Sequence, residues 1–269
     1  MELERPVLMG VVNVTPDSFS DGGSFLDPEA AIAQGRRLVS EGAQVLDIGG
    51  ESTRPGADPV SEDEELWRIK PVLEGLADSG ATLSIDTMKP GVARAALELG
   101  AGIVNDVSAF RFAPEMAQLV AEAGVHCCLM HMLGEPRTMQ QDPRYDDVAA
   151  EVAAFLEERL AFAVAEGIPE ERICLDPGIG FGKTVEHNFE LLRRLDVLLA
   201  LGRPVLIGFS RKSSLGKVVG DPDARTGPLS ASVAAAVAAY ERGATILRVH
   251  DVREHVEALA VARAVVVGP

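Results

Sequence analysis

Eight short runs rich in Val, Ile and Leu recur along this chain, separated by longer Ala-, Glu-, Leu- and Arg-rich segments with helical spacing. This alternation constrains the fold more than any other feature. The runs are residues 7–14, 44–49, 82–86, 103–107, 126–131, 173–176, 205–209 and 246–250, each of a length suited to a buried strand. Helical periodicity marks residues 28–41, 62–77, 90–99, 145–166 and 185–200, and the Ala-rich stretch from Leu229 to Tyr240 reads as the seventh helix. Strand then helix, eight times over, predicts an α/β protein: a single (β/α)8 TIM barrel with a parallel eight-stranded core, occupying residues 1–269 as one domain. An open doubly wound sheet is the alternative, but eight units in 269 residues favour closure.

The runs change character at their C-terminal ends. Apolar residues give way to Asn13, Asp47, Asp86, Asn105, His131 and Asp176, to Lys212 just beyond its strand, and to the pair Arg248 and His250. In a barrel these ends share one face, the face that carries chemistry in this architecture. Asp86, Asn105, Asp176 and Lys212 come from four strands and combine acceptors, an amide and a cation. Arg248 and His250, two residues apart, project to the same side of a strand that neighbours the first strand and Asn13 in a closed ring. Asp251-Val252-Arg253-Glu254 reads as a capping box, so the eighth helix should aim its free N–H groups at this face and add an anion site suited to a pyrophosphate. Three long loops, 15–27, 133–144 and 211–226, follow strands and should overhang the same mouth as lids.

Composition narrows the field of ligands. A formal charge of −16 argues against a nucleic-acid partner, since no cluster of Lys and Arg is present to neutralise phosphates, and any anion must be held locally. No apolar run reaches membrane-spanning length and the N-terminus lacks signal-peptide character, which points to a cytoplasmic protein without a membrane partner. Cys127 and Cys128 are strand neighbours facing opposite ways, so with Cys174 they read as reduced core residues. Other motifs fail on their chemistry. The run Pro177 to Thr184 ends like a phosphate loop, but Pro177 stands where its first glycine is required, and Lys183 breaks a dinucleotide-binding GxGxxG. The five histidines have no zinc-site spacing. Lys212 lies after its strand beside Ser210, Arg211 and Ser213, which suits a ring and anion donor better than a Schiff-base nucleophile.

The stretch Gly10 to Gly23, GVVNVTPDSFSDGG, breaks an apolar strand with turn-forming residues. Together with Ile48–Gly56 (IGGESTRPG), Ser84–Thr87 (SIDT), Asn105–Ser108 (NDVS), Asp176–Thr184 (DPGIGFGKT), Gly208–Ser213 (GFSRKS) and Arg248–Asp251 (RVHD), in that order, it resembles the dihydropteroate synthase family of pterin-binding barrels. The resemblance implies that Asp86, Asn105, Asp176 and Lys212 line a pterin pocket with Asp176 on the amino edge, and that Arg248 and His250 bind pyrophosphate. It further implies that Asn13 is a ligand to Mg²⁺ and that Asp17 stabilises positive charge developing on the pterin. Loops bearing Asp17, Ser18 and Phe19, and Thr53, Arg54 and Pro55, would close over the substrates, while Ser213 would take the carboxylate of an aromatic amine with Phe181 packing nearby. The implied catalytic set is thus Asp17, Asn13, Lys212, Arg248 and His250, the implied substrates are dihydropterin pyrophosphate and 4-aminobenzoate, and the implied assembly is a homodimer, with Leu229 to Tyr240 as a contact.

Two other functions compete. A methyltetrahydrofolate-dependent methyltransferase of similar barrel type would share Asp86, Asn105 and Asp176 but has no use for a pyrophosphate pair or for the TPDSFSDGG loop. A non-catalytic pterin-binding protein would have lost catalytic groups, and none is missing.

Overall fold

A computed structural model describes residues 6–15, 27–54 and 56–267. Asp17, Ser18, Phe19 and Pro55 therefore lie outside the described residues. The strands are β1 (Val7–Asn13), β2 (Val45–Gly49), β3 (Thr82–Asp86), β4 (Ile103–Asp106), β5 (His126–Met130), β6 (Ile173–Asp176), β7 (Leu206–Ile207) and β8 (Ile246–Val249). All pair in parallel in the order β6-β5-β4-β3-β2-β1-β8-β7. A parallel bridge from Leu175 to Val205, with the Leu175 amide donating to the Pro204 carbonyl at 2.9 Å, joins the two ends. The ring is closed, and the open doubly wound alternative is excluded because β1 pairs with both β2 and β8 and no strand order reverses.

Side chains divide by the two-residue period of the strands. Leu8, Leu46, Ile48, Leu83, Ile85, Val104, Cys127, Leu129, Leu175 and Val249 join the large core shared with the helices. Val7, Met9, Val45, Cys128 and Leu206, with Ile103, Cys174 and Ile246 against them, form a separate cluster that fills the barrel interior. Cys127 and Cys128 do face opposite ways, and all three cysteines are free thiols. Above this apolar plug the interior turns polar, because Asp47, Ser84, Asp86, Asn105 and Arg248 occupy the next positions on the same parity.

The outer layer contains α1 (Pro28–Ser40), α2 (Glu62–Leu76), α3 (Pro90–Glu98), α4 (Glu115–Ala123), α5 (Val148–Ala165), α6 (Val185–Arg193), α7 (Leu195–Leu199), α8 (Ser213–Val218), α9 (Leu229–Glu241) and α10 (Val252–Val267). Caps set several starts: Asp27, Ser61, Asp147 and Thr184 each accept a backbone N–H from the first turn that follows. Three expectations are corrected. The helix over residues 185–200 breaks at Arg194 (φ −106°, ψ 38°) into α6 and α7. The helix expected from Tyr145 begins at Val148, since the Tyr145 hydroxyl turns inward to donate to the Gly182 carbonyl at 2.9 Å. The loop 211–226 is not open throughout, because α8 forms inside it. Asp251 precedes α10 as a cap should, and both its carboxylate oxygens accept from Arg211, at 3.0 and 2.5 Å. Strand β7 keeps only two ladder residues, because the Val205 amide donates to the Thr245 hydroxyl (3.1 Å) and Phe209 enters the turn to Lys212.

The loop after β6 packs flush against the end of β5. Gly178 has φ +69°, and a Cβ there would sit 1.9 Å from the His131 carbonyl oxygen. Replacing Gly178 by Ala should lower unfolding free energy by about 3 kcal/mol, combining ~1–2 for a left-handed backbone and ~1–3 for overpacking. Gly80 shares the positive φ (+84°) but faces open space, so Gly80→Ala should show only the backbone part. Urea denaturation compares the two, and equal losses would contradict the close approach.

Candidate active site

The polar interior is organised by Asp47, which is fully buried in the middle of its sheet neighbours. Its Oδ1 accepts from the Ser84 hydroxyl at 2.6 Å, and its Oδ2 accepts from Asn105 Nδ2 at 3.0 Å and from Arg248 Nε at 2.6 Å. Arg248 also donates through Nη2 to Asp86 Oδ2 at 2.9 Å. Four strands thus meet in one network of a guanidinium, two carboxylates, an amide and a hydroxyl. Burial works against the Arg248 charge, but Asp47 and Asp86 outweigh it and hold its pKa above the ordinary range. Asp86 is pushed up to about 7 by burial and by Asp47, with Arg248 pulling the other way: two carboxylates share one guanidinium away from water. The network also limits what Arg248 has left to offer a ligand. Two of its five N–H donors are committed to carboxylates inside the barrel, leaving the others for a ligand.

On the opposite side of the mouth, Asp176 is buried and its Oδ1 accepts from the Gly178 amide at 2.7 Å. Burial raises its pKa to about 6, against that hydrogen bond and the charges of Lys212, Arg248 and Lys183. Lys212, the residue before α8, lies with its ammonium 4.3 Å from the centroid of the Phe181 ring, a cation–π contact. Its stem runs past Gly180, where a Cβ would come within 3.2 Å of Lys212 Cδ. Burial and Arg248 lower the Lys212 pKa to about 8, with Asp176 and Asp86 opposing and Arg54 assisting. These mutual influences bring Asp86, Asp176, Lys212, Arg248 and Arg54 within electrostatic reach of one another. Asn105 and Asp86 are register partners and complete the set expected from four strands.

His250 follows β8 on the same parity as Arg248. The Ser210 hydroxyl accepts from the His250 backbone amide at 3.2 Å and also meets the ring Nδ1 at 3.0 Å; with the hydroxyl proton on that contact, Nε2 carries the ring proton and is free to donate. Burial, then Arg248, Arg211 and Lys212, lower the His250 pKa to about 3, making it a neutral donor at physiological pH. Asn13 ends β1 opposite Gly49, itself the register partner of Asp86. Thr53 is half-buried and Arg54 exposed on the β2–α2 loop, and Ser213 opens α8 beside Lys212.

Not every polar strand end joins the mouth. His131 points outward, edge-on to Phe155 at 4.8 Å, and its Nδ1 contacts the ammonium of buried Lys183 at 2.8 Å. Lys183, the apparent phosphate-loop lysine, also donates to the Phe181 carbonyl at 3.1 Å, bolting that turn in place. Sequence reasoning marked Asp47 only as a polar strand end, although an acidic residue inside the run Val45–Gly49 is itself a signal. Asn188 left no such signal: it accepts from the Gly180 amide (2.8 Å) and donates to Ser214 (3.0 Å), tying the Phe181 loop to α8.

Fold and site together define a pterin-binding (β/α)8 enzyme. Residues 9–250 match the profile of the family described as pterin binding enzymes, and the chain belongs to that family, among its dihydropteroate synthases. Dihydropteroate synthase of Neisseria meningitidis serogroup C is 49% identical over 260 residues, 96% of this chain and 92% of that protein. The Xanthomonas albilineans dihydropteroate synthase structure with 4-aminobenzoic acid superimposes with a TM-score of 0.90 at 51% identity, covering 99% of this chain and 95% of that one. A structure of the Xanthomonas albilineans enzyme in complex with 7,8-dihydropteroate matches with a TM-score of 0.88 at 48% identity, covering 100% and 97%.

Removing the Asp47 carboxylate leaves the partly buried Arg248 guanidinium with Asp86 alone and strands the Asn105 amide and the Ser84 hydroxyl. Asp47→Ala should cost about 3–5 kcal/mol of stability, as does halving a buried ion pair. Chemical denaturation measures it, and a loss below about 1 kcal/mol would show that the network contributes little.

Proposed function

We propose that this barrel joins 6-hydroxymethyl-7,8-dihydropterin pyrophosphate to 4-aminobenzoate. A C–N bond forms at the pterin methylene, its C–O bond breaks, and pyrophosphate and 7,8-dihydropteroate leave. The observation that carries this reading is the convergence of Asp86, Asn105, Asp176 and Lys212 at one mouth beside Arg248. It gains support from synthase relatives aligned over nearly the whole chain.

The pterin presents a 2-amino group and a ring N–H on one edge and a 4-oxo group beside them. A buried carboxylate at Asp176 accepts from the first two, and the Lys212 ammonium donates to the oxygen or a neighbouring ring nitrogen. Asp86 and Asn105, already held by Arg248 and Asp47, face the remaining ring edge. The uncommitted donors of Arg248 and the Nε2–H of His250 neutralise the departing pyrophosphate. Asp17 stabilises the cation-like methylene that develops as the C–O bond lengthens. Ser213 takes the carboxylate of the arylamine, and Thr53, Arg54 and Phe181 flank it. The aniline nitrogen needs no strong base, since the anilinium it becomes loses its proton to water.

The residues fit Mg²⁺ as a helper ion. Among the described residues no group of three His, Cys, Asp or Glu side chains could hold a metal, whereas Asn13 offers one neutral oxygen at the mouth. Such a site suits an ion that keeps several waters and takes its other ligands from substrate phosphate. When bound, Mg²⁺ would supply positive charge to the leaving pyrophosphate.

Among the described residues no helix is long and apolar enough to cross a membrane. Free thiols at all three cysteines fit the reducing cytoplasm. The homodimer would form through α6, α8 and α9, where Phe189, Leu192, Leu215 and Ala235 line a groove of about 380 Å³ and Val218 and Val219 are 58% and 60% exposed. Sedimentation should give a dimer that Val219→Asp converts to a monomer; an unchanged dimer would place the contact elsewhere.

Pyrophosphate release from both substrates with Mg²⁺ tests the reaction, and absence of turnover with intact pterin binding would leave a binding protein. Its pH dependence follows from the site. Asp86 and Asp176 must be ionised to accept ring N–H bonds, and their pKa values of about 7 and about 6 make kcat/KM climb as pH rises through that range. Lys212 must be protonated to donate, so the rate falls above about 8. The expected profile is a bell centred near neutrality, and a flat profile from about pH 5 to 9 would contradict these assignments.

A further inference from the structure

The β2–α2 loop carries Thr53 and Arg54 over the mouth, yet its outer half is lightly held. Ala57 donates to the Arg54 carbonyl (3.1 Å), Gly56 reaches the Pro136 carbonyl at 3.5 Å, and Asp58 pairs with Arg137 on the exposed surface. Its inner end is fastened differently. The Gly50 carbonyl accepts from Arg68 at 2.8 Å, and Gly50 lies flush on α2, where a Cβ would meet Ile69 and Glu65. The next residue, Glu51, accepts from the ammonium of Lys89, which also donates to fully buried Glu65 at 2.5 Å. Lys89 itself follows Asp86 by three residues, and its amide donates to Thr87 Oγ1 at 3.2 Å.

One ammonium therefore joins three elements: the loop that bears Thr53 and Arg54, the segment leaving β3 behind Asp86, and helix α2. A structural pair would need only Lys89 and Glu65. Glu51 sets a second carboxylate on the same Lys89 ammonium in a largely buried place, and two like charges sharing one partner away from water cost stability. We propose that Glu51, held through Lys89 by Glu65, is a positioning residue that sets Thr53 and Arg54 at the arylamine side of the mouth. This rests on the synthase reading for the substrate it names, but the tether itself is a property of the free protein.

The deciding variant is Glu51→Ala, which cuts the loop link and leaves the Lys89–Glu65 pair whole. Its unfolding midpoint should stay the same or rise, while the KM for 4-aminobenzoate increases fivefold or more and pterin affinity by calorimetry stays within twofold. Amide exchange over residues 51–57 should quicken about tenfold, converting to about 1.4 kcal/mol of lost local protection, with the strands unchanged. Glu51→Gln, which keeps an acceptor oxygen, should recover part of the KM. Wild-type KM and exchange in Glu51→Ala would overturn the proposal, as would an equal fall in pterin affinity. If the native protein shows no turnover, the synthase reading fails, and the exchange measurement alone still decides whether Glu51 tethers the loop.

Discussion

A guanidinium at the mouth of a barrel has little water to turn to, and the side chain of Arg248, 22% exposed, answers that constraint by reaching Asp47 on β2 and Asp86 on β3. The apolar plug below ends where this network begins, so the boundary between core and site is electrostatic as well as geometric. Taking these charges from water is expensive, and the arrangement is tolerated because nearly every group is matched: Ser84 and Asn105 satisfy the remaining lone pairs of Asp47. The consequence is functional. A carboxylate at Asp86 and an amide at Asn105 are held rigidly at the mouth before any ligand arrives, which spares binding the ordering of those side chains.

The rest of the mouth follows the same logic of opposed charges in a dry place. Asp176 is raised and Lys212 lowered by burial, and each moderates the other. An acidic chain with a net charge of −16 can hold an anion only by such local means. Arg248 and Lys212 are concentrated where strand ends converge, and His250 adds a neutral donor fixed by Ser210. Closure makes this convergence possible: the bridge between β6 and β7 brings the two edges of the sheet together, so that only β7 separates Asp176 on β6 from Arg248 on β8.

Much of the fold was legible because the strand runs are apolar and bounded by polar residues. Residues 82–86 and 173–176 coincide with β3 and β6 to the residue. The misses have identifiable causes. Periodicity across residues 185–200 continues through Arg194, where the backbone leaves the helix, and α8, six residues long, is too short for periodicity to announce. His131 looked like its neighbours at the strand ends, but parity decides direction: Cys128 faces inward, so His131, three residues on, faces out. Asp86, Asn105 and Asp176 were recognisable as a set because each is a polar residue at the end of an apolar run, and Lys212 joined them through its place just beyond one. Asn188 and Glu65 sit on helices among ordinary polar residues, and nothing local distinguishes a buried strut from a solvated side chain.

By itself the sequence determined the alternation of strand and helix, the identity of the family, and which chemical groups stand at the strand ends, since these depend on local periodicity and residue type. Only the tertiary structure decided that Arg248 would face carboxylates, that Lys212 would lie over Phe181, and that Lys183 would be a bolt rather than a phosphate ligand. Those outcomes turn on distances between residues up to 201 positions apart and on the water excluded around them. A linear order of residues carries neither.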